Sequence, residues 1–214
     1  MKAREIEQNR QELETSGIYK ITNLRNNKYY IGRAENFYVR WNQHLKQLNK
    51  GIHVNAGLQK EWDESNFDFS IIEQTGKIEV KEIKHIYEDW KNGNHIYNDI
   101  NSKLIISHFV IQMCKEKKYK FAIDYKHPDC LSDKGSPLVF SFIIKNPETD
   151  NYVFLSLNSA EYNNEPKNIR NAEIKTDYIK KYDNYYQVVY DYVRDDLSTH
   201  HAQVVCQMIE RFLN

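Results

Sequence analysis

Gly17-Ile18-Tyr19, a ten-residue gap and Tyr30-Ile31-Gly32 constrain this chain more than any other stretch. Two short runs of Ile and Tyr flank a polar segment holding Asn23, Asn26 and Asn27, the pattern of a β-hairpin. Glycine bounds both ends, where a backbone bends or lets another group come close. Taken alone, the hairpin is an edge of a small sheet. The residues downstream of it decide whether the two tyrosines are packing or chemistry.

From Asn36 the pattern turns helical: Phe37, Trp41, Leu45 and Leu48 form one apolar stripe, with Asn36 placed as its N-cap. Arg40 and His44 are four apart and share another face of that helix. Asn55 caps a second short helix burying Leu58 and Trp62. Phe67, Phe69 and Ile71 alternate with Asp68 and Ser70 as a strand. Residues 78–91 are helical, with Glu82 beside the stripe of Ile83, Ile86, Tyr87 and Trp90. A polar helix over residues 3–14, with Ile6 and Leu13 inward, precedes the hairpin. The order predicts an α/β domain: a small central antiparallel sheet flanked by helices.

Near residue 102 the character changes, which divides the 214-residue chain into residues 1–102 and 103–214. The second half predicts an α+β domain with an antiparallel sheet. Leu104–Met113 reads as a helix, Tyr119–Tyr125 as a strand, and 127–137 as a loop. Leu138–Lys145 and Tyr152–Asn158 are a hairpin joined by Asn146-Pro147-Glu148-Thr149-Asp150. Residues 159–171 read as loop, and Ile174, Tyr178, Tyr182, Tyr185, Val189 and Val193 as one helix. A last helix covers about His200 to Leu213. The tyrosine stripe from Tyr178 to Tyr192 reads as core packing, and His200-His201 as solvated.

Net charge is zero, with 15 Lys+Arg and 15 Asp+Glu in each half. That excludes a broad electrostatic grip on nucleic acid but not a local basic cleft. Cys114, Cys130 and Cys206 have no metal-knuckle or disulfide spacing and read as buried thiols. No stretch has the apolar length of a membrane span, and Met1–Glu14 lacks the apolar core of a secretory signal. A cytoplasmic protein without membrane partners is expected.

Two tyrosines, an arginine, a histidine and one glutamate at one end of a small sheet would suit phosphodiester cleavage. The reaction needs a base for water, a cation to spread charge on the phosphorane and a metal at the leaving oxygen. Arg40 can clamp a phosphate bidentately. A lone carboxylate such as Glu82 can hold one Mg2+, which keeps several waters.

The ordered series makes the reading specific. Gly17-Ile18-Tyr19 and Tyr30-Ile31-Gly32, then Gly32-Arg33-Ala34, Arg40-x-x-x-His44, His53 to Leu58-Gln59, Phe67-x-Phe69 and Tyr97-Asn98 resemble the GIY-YIG nuclease superfamily. The spread, over residues 15 to 100, most resembles the catalytic domain of phage-type homing endonucleases. The resemblance implies Tyr30 as general base or its activator and Tyr19 as the group orienting nucleophile or phosphate. It implies Arg40 as transition-state stabiliser and Glu82 as ligand to Mg2+, with Mn2+ able to substitute. His44 falls where homing-type members carry active-site residues; Arg33, His53 and Asn98 support the site. DNA is the implied partner, and the reading is a metal-dependent DNA endonuclease of a mobile element, restriction or phage defence. The rivals are a non-catalytic DNA-binding or interaction protein on the same scaffold and a structure-specific or single-strand repair nuclease. Residues 103–214 resemble no family; they are expected to choose the target or to form a homo-oligomer through the C-terminal helices.

Overall fold

A computed structural model describes residues 1–159, 165–192 and 197–214. It divides into two compact units, Met1–Asp99 and Ile100–Asn214.

In the first unit, β1 (Gly17–Asn23) is the centre of a three-stranded antiparallel sheet between β2 (Tyr29–Ala34) and β3 (Phe67–Gln74). The predicted N-terminal helix is only a single turn, α1 (Arg10–Leu13), preceded by a 3-10 turn at Ala3–Glu5. At the junction the Glu5 carbonyl accepts from both the side-chain amide and the backbone amide of Asn9, at 2.8 and 3.2 Å. Ile6 and Leu13 are nevertheless buried.

Helix α2 (Phe37–Asn49) starts where Asn36 Oδ1 accepts from the Val39 amide, and α3 (Ala56–Glu61) where Asn55 Oδ1 accepts from the Leu58 amide. Phe37, Trp41 and Leu48 turn inward and meet Tyr19, Ile21, Phe67 and Phe69 in one core. Helix α4 (Ile78–Lys91) packs against β1 and β2. Segment 95–98 then runs beside β2: Tyr29 N donates to the His95 carbonyl and Tyr97 N to the Tyr29 carbonyl. The edge strand is thereby covered.

The second unit has α5 (Ser102–Glu116), β4 (Lys120–Leu131), β5 (Pro137–Lys145), β6 (Tyr152–Ser159), α6 (Pro166–Ile179), β7 (Tyr185–Tyr192) and α7 (His200–Leu213). Its sheet runs in the order β4-β5-β6-β7. The α+β class stands, but the sheet is mixed: β4, β5 and β6 are antiparallel, and β7 lies parallel to β6 after the α6 crossover.

Three local expectations here need correction. Residues 166–171, read as loop, begin α6, where Pro166 takes a first-turn position that needs no amide. The long helix expected across 174–193 ends at Ile179, and Tyr185–Tyr192 is a strand. Val and Tyr dominate that octet, and such residues suit a pleated surface whatever their spacing. Val193 lies outside the described residues. The loop expected over 127–137 shrinks because β4 continues to Leu131, with a break in register between Lys126 and Leu131. That break accommodates Pro128 on an edge strand.

Candidate active site

The register of the hairpin builds the site. Tyr19 lies opposite Gly32, and Tyr30 precedes Gly32 by two residues on the same strand face. A side chain at position 32 would put its Cβ 2.5 Å from Tyr19 Cζ and 2.8 Å from Tyr30 Cε1. Glycine there lets the rings converge, with centroids 6.4 Å apart. Gly17 serves the neighbouring corner, where a Cβ would strike the Glu73 carbonyl and lie 2.8 Å from Phe37 Cζ.

A chain of hydrogen bonds fixes the polar groups behind Tyr19. The Asn55 amide donates to His53 Nδ1 at 3.1 Å, so that nitrogen carries no proton. His53 Nε2 then donates to His44 Nδ1 at 2.7 Å, and His44 Nε2 donates to the Tyr19 oxygen at 2.6 Å. One backbone amide thus assigns the tautomer of both histidines and the direction of the relay. Burial lowers the His44 pKa to about 3, with Arg40 and His53 adding to the effect. Burial lowers that of His53 as well. Two neutral rings are what the relay requires. His53 is also held by its own amide, which donates to Gln59 Oε1 at 2.9 Å.

Arg40 Nε is the second donor to the Tyr19 oxygen, at 3.3 Å, and Arg40 Nη1 reaches Gln43 Oε1 at 3.3 Å. Tyr19 is fully buried. Its hydroxyl therefore acts through Arg40 and His44, holding the guanidinium in place. Tyr30 is half-buried and packs edge-on to His44 and His53. Burial raises the Tyr30 pKa, and the Glu82 charge raises it further; Arg40 and Arg33 oppose the rise.

Glu82 comes from α4 and stands 3.5 Å from Arg33 Nε on β2. Burial raises its pKa, against the pull of Arg33 and Arg40. Arg33, Arg40, Asn36, Gln43 and Glu79 line an open cleft of about 490 Å3. Asn98 sits at the far side of β2, where its carboxamide accepts from the Ile31 amide at 2.8 Å and donates to the Ile31 carbonyl at 2.7 Å. That double bond substitutes for a neighbouring strand and fixes the tyrosine-bearing edge.

All eight residues singled out in the sequence belong to this unit. Tyr19, Tyr30, Arg40, His44 and His53 are gathered within one network, Arg33 and Glu82 form its charged wall, and Asn98 braces β2 from behind. Sequence reasoning missed Gln43, and it saw in Asn55 a helix cap without its role in orienting His53. The signal was the spacing His53-x-Asn55, which lets an imidazole accept from the amide two residues on. Among the described residues no three His, Cys, Asp or Glu side chains form a ready-made metal cage. A partly buried carboxylate beside two guanidiniums, with Glu79 near it, fits a Mg2+ held mostly by water and substrate phosphate oxygens.

Residues 15–97 match the GIY-YIG catalytic domain family. This segment is a GIY-YIG domain. Intron-associated endonuclease 1 of Enterobacteria phage T4 is 44% identical over 61 residues, which cover 28% of this chain and 25% of that protein. The chain thus spans about a quarter of the length of this curated relative. The catalytic domain of homing endonuclease I-TevI is a solved structure at 35% identity, covering 40% of this chain and 100% of that one, with a TM-score of 0.35. A mutant of the same catalytic domain gives 34% identity, 39% and 91% coverage and a TM-score of 0.35. The GIY-YIG match ends at residue 97 and leaves the second unit outside it. No described helix is long and apolar enough to cross a membrane.

Proposed function

We propose that the GIY-YIG domain hydrolyses DNA phosphodiester bonds as a metal-dependent endonuclease. One observation carries this reading most: Arg33 and Arg40 border one cleft, beside Glu82 and a buried network that fixes Arg40 through Tyr19. Arg40, held at Nε by the tyrosine and at Nη1 by Gln43, turns its remaining N–H groups to the phosphorane oxygens. Tyr30 takes the role of general base: its phenol first gives its proton to solvent, and the phenolate then aligns the attacking water and takes a proton from it. The Arg33 and Arg40 charges beside it oppose the high pKa that burial imposes. Water oxygen forms the new bond to phosphorus, the bond to the leaving sugar oxygen breaks, and a solvent proton neutralises that oxygen. Glu82 would hold the divalent cation, Mg2+ or Mn2+, which when bound supplies Lewis-acid stabilisation of the leaving oxygen.

One such site cuts one strand, so double-strand cleavage takes a dimer or two successive encounters. The second unit is assigned target choice or self-association, in a mobile element, restriction or phage defence inside a cell. Incubating the protein with plasmid, single-stranded DNA and RNA, with Mg2+ or with EDTA, tests the reading. Metal-dependent cutting of DNA that is lost in Arg40→Ala and in Glu82→Ala is the expected result. Cutting that survives both substitutions removes the mechanism, and no cutting of any substrate removes the enzyme.

A further inference from the structure

The second unit contains a fork in its sheet. Strands β5 and β6 pair only from Phe142↔Leu155 to Lys145↔Tyr152. Before Phe142, β5 stays with β4, through Phe140↔Tyr125 and Val139↔Lys126. After Leu155, β6 stays with β7, through Ser156↔Val189 to Ser159↔Tyr192. A bond crosses the opening: the Leu157 amide donates to Ser141 Oγ at 3.0 Å, a side chain replacing the missing ladder carbonyl.

The opening holds a cavity of about 260 Å3 bordered by Ser141, Ser156, Asn158, Asp124, Lys103 and Lys175. The two lysines arrive from different helices, α5 and α6, and both are half-buried. Among the described residues neither forms an ion pair, whereas Lys20, Lys81 and Lys145 each meet a carboxylate. Lys175 Nζ has only Ser156 Oγ at 3.5 Å and the Phe140 ring face at 4.9 Å. Burial lowers its pKa and the Lys103 charge lowers it further, opposed by Cys130; Asp124 is not among the groups that set it. Two ammonium groups drawn together in a half-buried space repel each other and lose hydration, and an anion between them reverses both costs. The Ser141 and Ser156 oxygens accept within the protein, which leaves their own O–H groups to donate.

We propose that this fork is a phosphate-binding site, in which Lys103 and Lys175 clamp one phosphate group and the two serine hydroxyls donate to its remaining oxygens. A phosphate offers enough acceptors for both ammonium groups and both hydroxyls at once. The cavity is smaller than the roughly 300–1,000 Å3 that encloses a whole small-molecule ligand. The phosphate enters, and the rest of a nucleotide or nucleic-acid strand stays outside. The site does not depend on cleavage by the first unit.

The test is amine-acylation footprinting of the full chain carrying Glu82→Gln, in EDTA so that DNA is not cut. The probes are inorganic phosphate, adenosine 5′-monophosphate and a short DNA duplex. Lys103 and Lys175 are expected to be protected several-fold, with exposed Lys50 and Lys91 unchanged in the phosphate and nucleotide arms. Protection by phosphate and nucleotide alone assigns a free nucleotide; protection that extends to the duplex assigns a strand phosphate. Binding of the protecting probe by a Lys103→Met/Lys175→Met double variant should weaken at least tenfold. For the duplex, the slope of log affinity against log salt should fall by about 1, the value for one phosphate contact. No protection by any probe, or unchanged binding in a folded double variant, overturns the proposal. If the double variant does not fold, the footprint of the unsubstituted lysines decides alone.

Discussion

The two candidate sites treat their polar groups in opposite ways. In the GIY-YIG domain His44 and His53 are 2% and 7% exposed, and every nitrogen of both rings has a partner. The relay ends on Tyr19 and leaves Arg40 aimed with little freedom. In the second unit the core around Phe140, Phe154, Tyr178 and Ile179 is largely apolar and aromatic, and the polar cluster at the sheet fork holds two cations with no carboxylate bound to them. A site built to lower a barrier is satisfied before substrate arrives, because preorganised dipoles need no rearrangement during reaction. A site built to bind an anion can leave its cations unpaired, because the ligand itself completes them.

The comparison breaks first on stability. Phe154→Ala, in a side chain packed against Phe140 and Tyr185, should cost about 3–5 kcal/mol in denaturant unfolding and leave the reacting groups of the GIY-YIG domain untouched. Arg40→Ala should do the reverse. It should lower the cleavage rate about 10²–10³-fold, the range for removing one transition-state donor, with little change in the unfolding midpoint. If Arg40→Ala unfolds the domain instead, the guanidinium is a structural strut.

Smaller effects sharpen the contrast inside the first unit. Gly32→Ala forces a methyl between Tyr19 and Tyr30, so a loss of about 1–3 kcal/mol is expected, together with reduced cutting. A Gly32→Ala protein of full activity would show that the tyrosine convergence is unimportant.

The pH dependence follows from His44. Its folded pKa of about 3 lies below the unfolded value near 6.5, so below that value the unfolded chain takes up a proton that the native one refuses. The contribution is fully present above about pH 6.5. It falls by roughly 1.4 kcal/mol for each pH unit down to about 3. Denaturant titrations at pH 7.5, 6 and 5 should show the decline, and His44→Gln should flatten it. The smallest effect is expected of Asn98→Ala: removing the carboxamide that pairs with Ile31 should cost about 1–2 kcal/mol.

Much of the GIY-YIG domain was legible because its signals are local. Asn36 and Asn55 announce two helices by capping them, and the Phe37, Trp41 and Leu48 stripe has one interpretation at helical spacing. The Tyr185–Tyr192 strand was not legible in the same way. Its tyrosines and valines also continue the helical rhythm of Ile174 and Tyr178, and only pairing with β6 selects the strand. The N-terminal helix is interrupted before Arg10, although Ile6 and Leu13 keep the burial their spacing predicts.

Sequence alone determined that two tyrosines, an arginine and a glutamate share one small sheet domain, since the hairpin and the helices after it are encoded in short-range patterns. The tertiary structure decided what those residues do to one another. It buried Tyr19 beneath Gly32, ran a chain of hydrogen bonds from the Asn55 amide through two histidines, and left Lys103 and Lys175 together in a forked sheet. Each of these depends on residues far apart in the chain meeting at hydrogen-bond distance, and no periodicity carries that information.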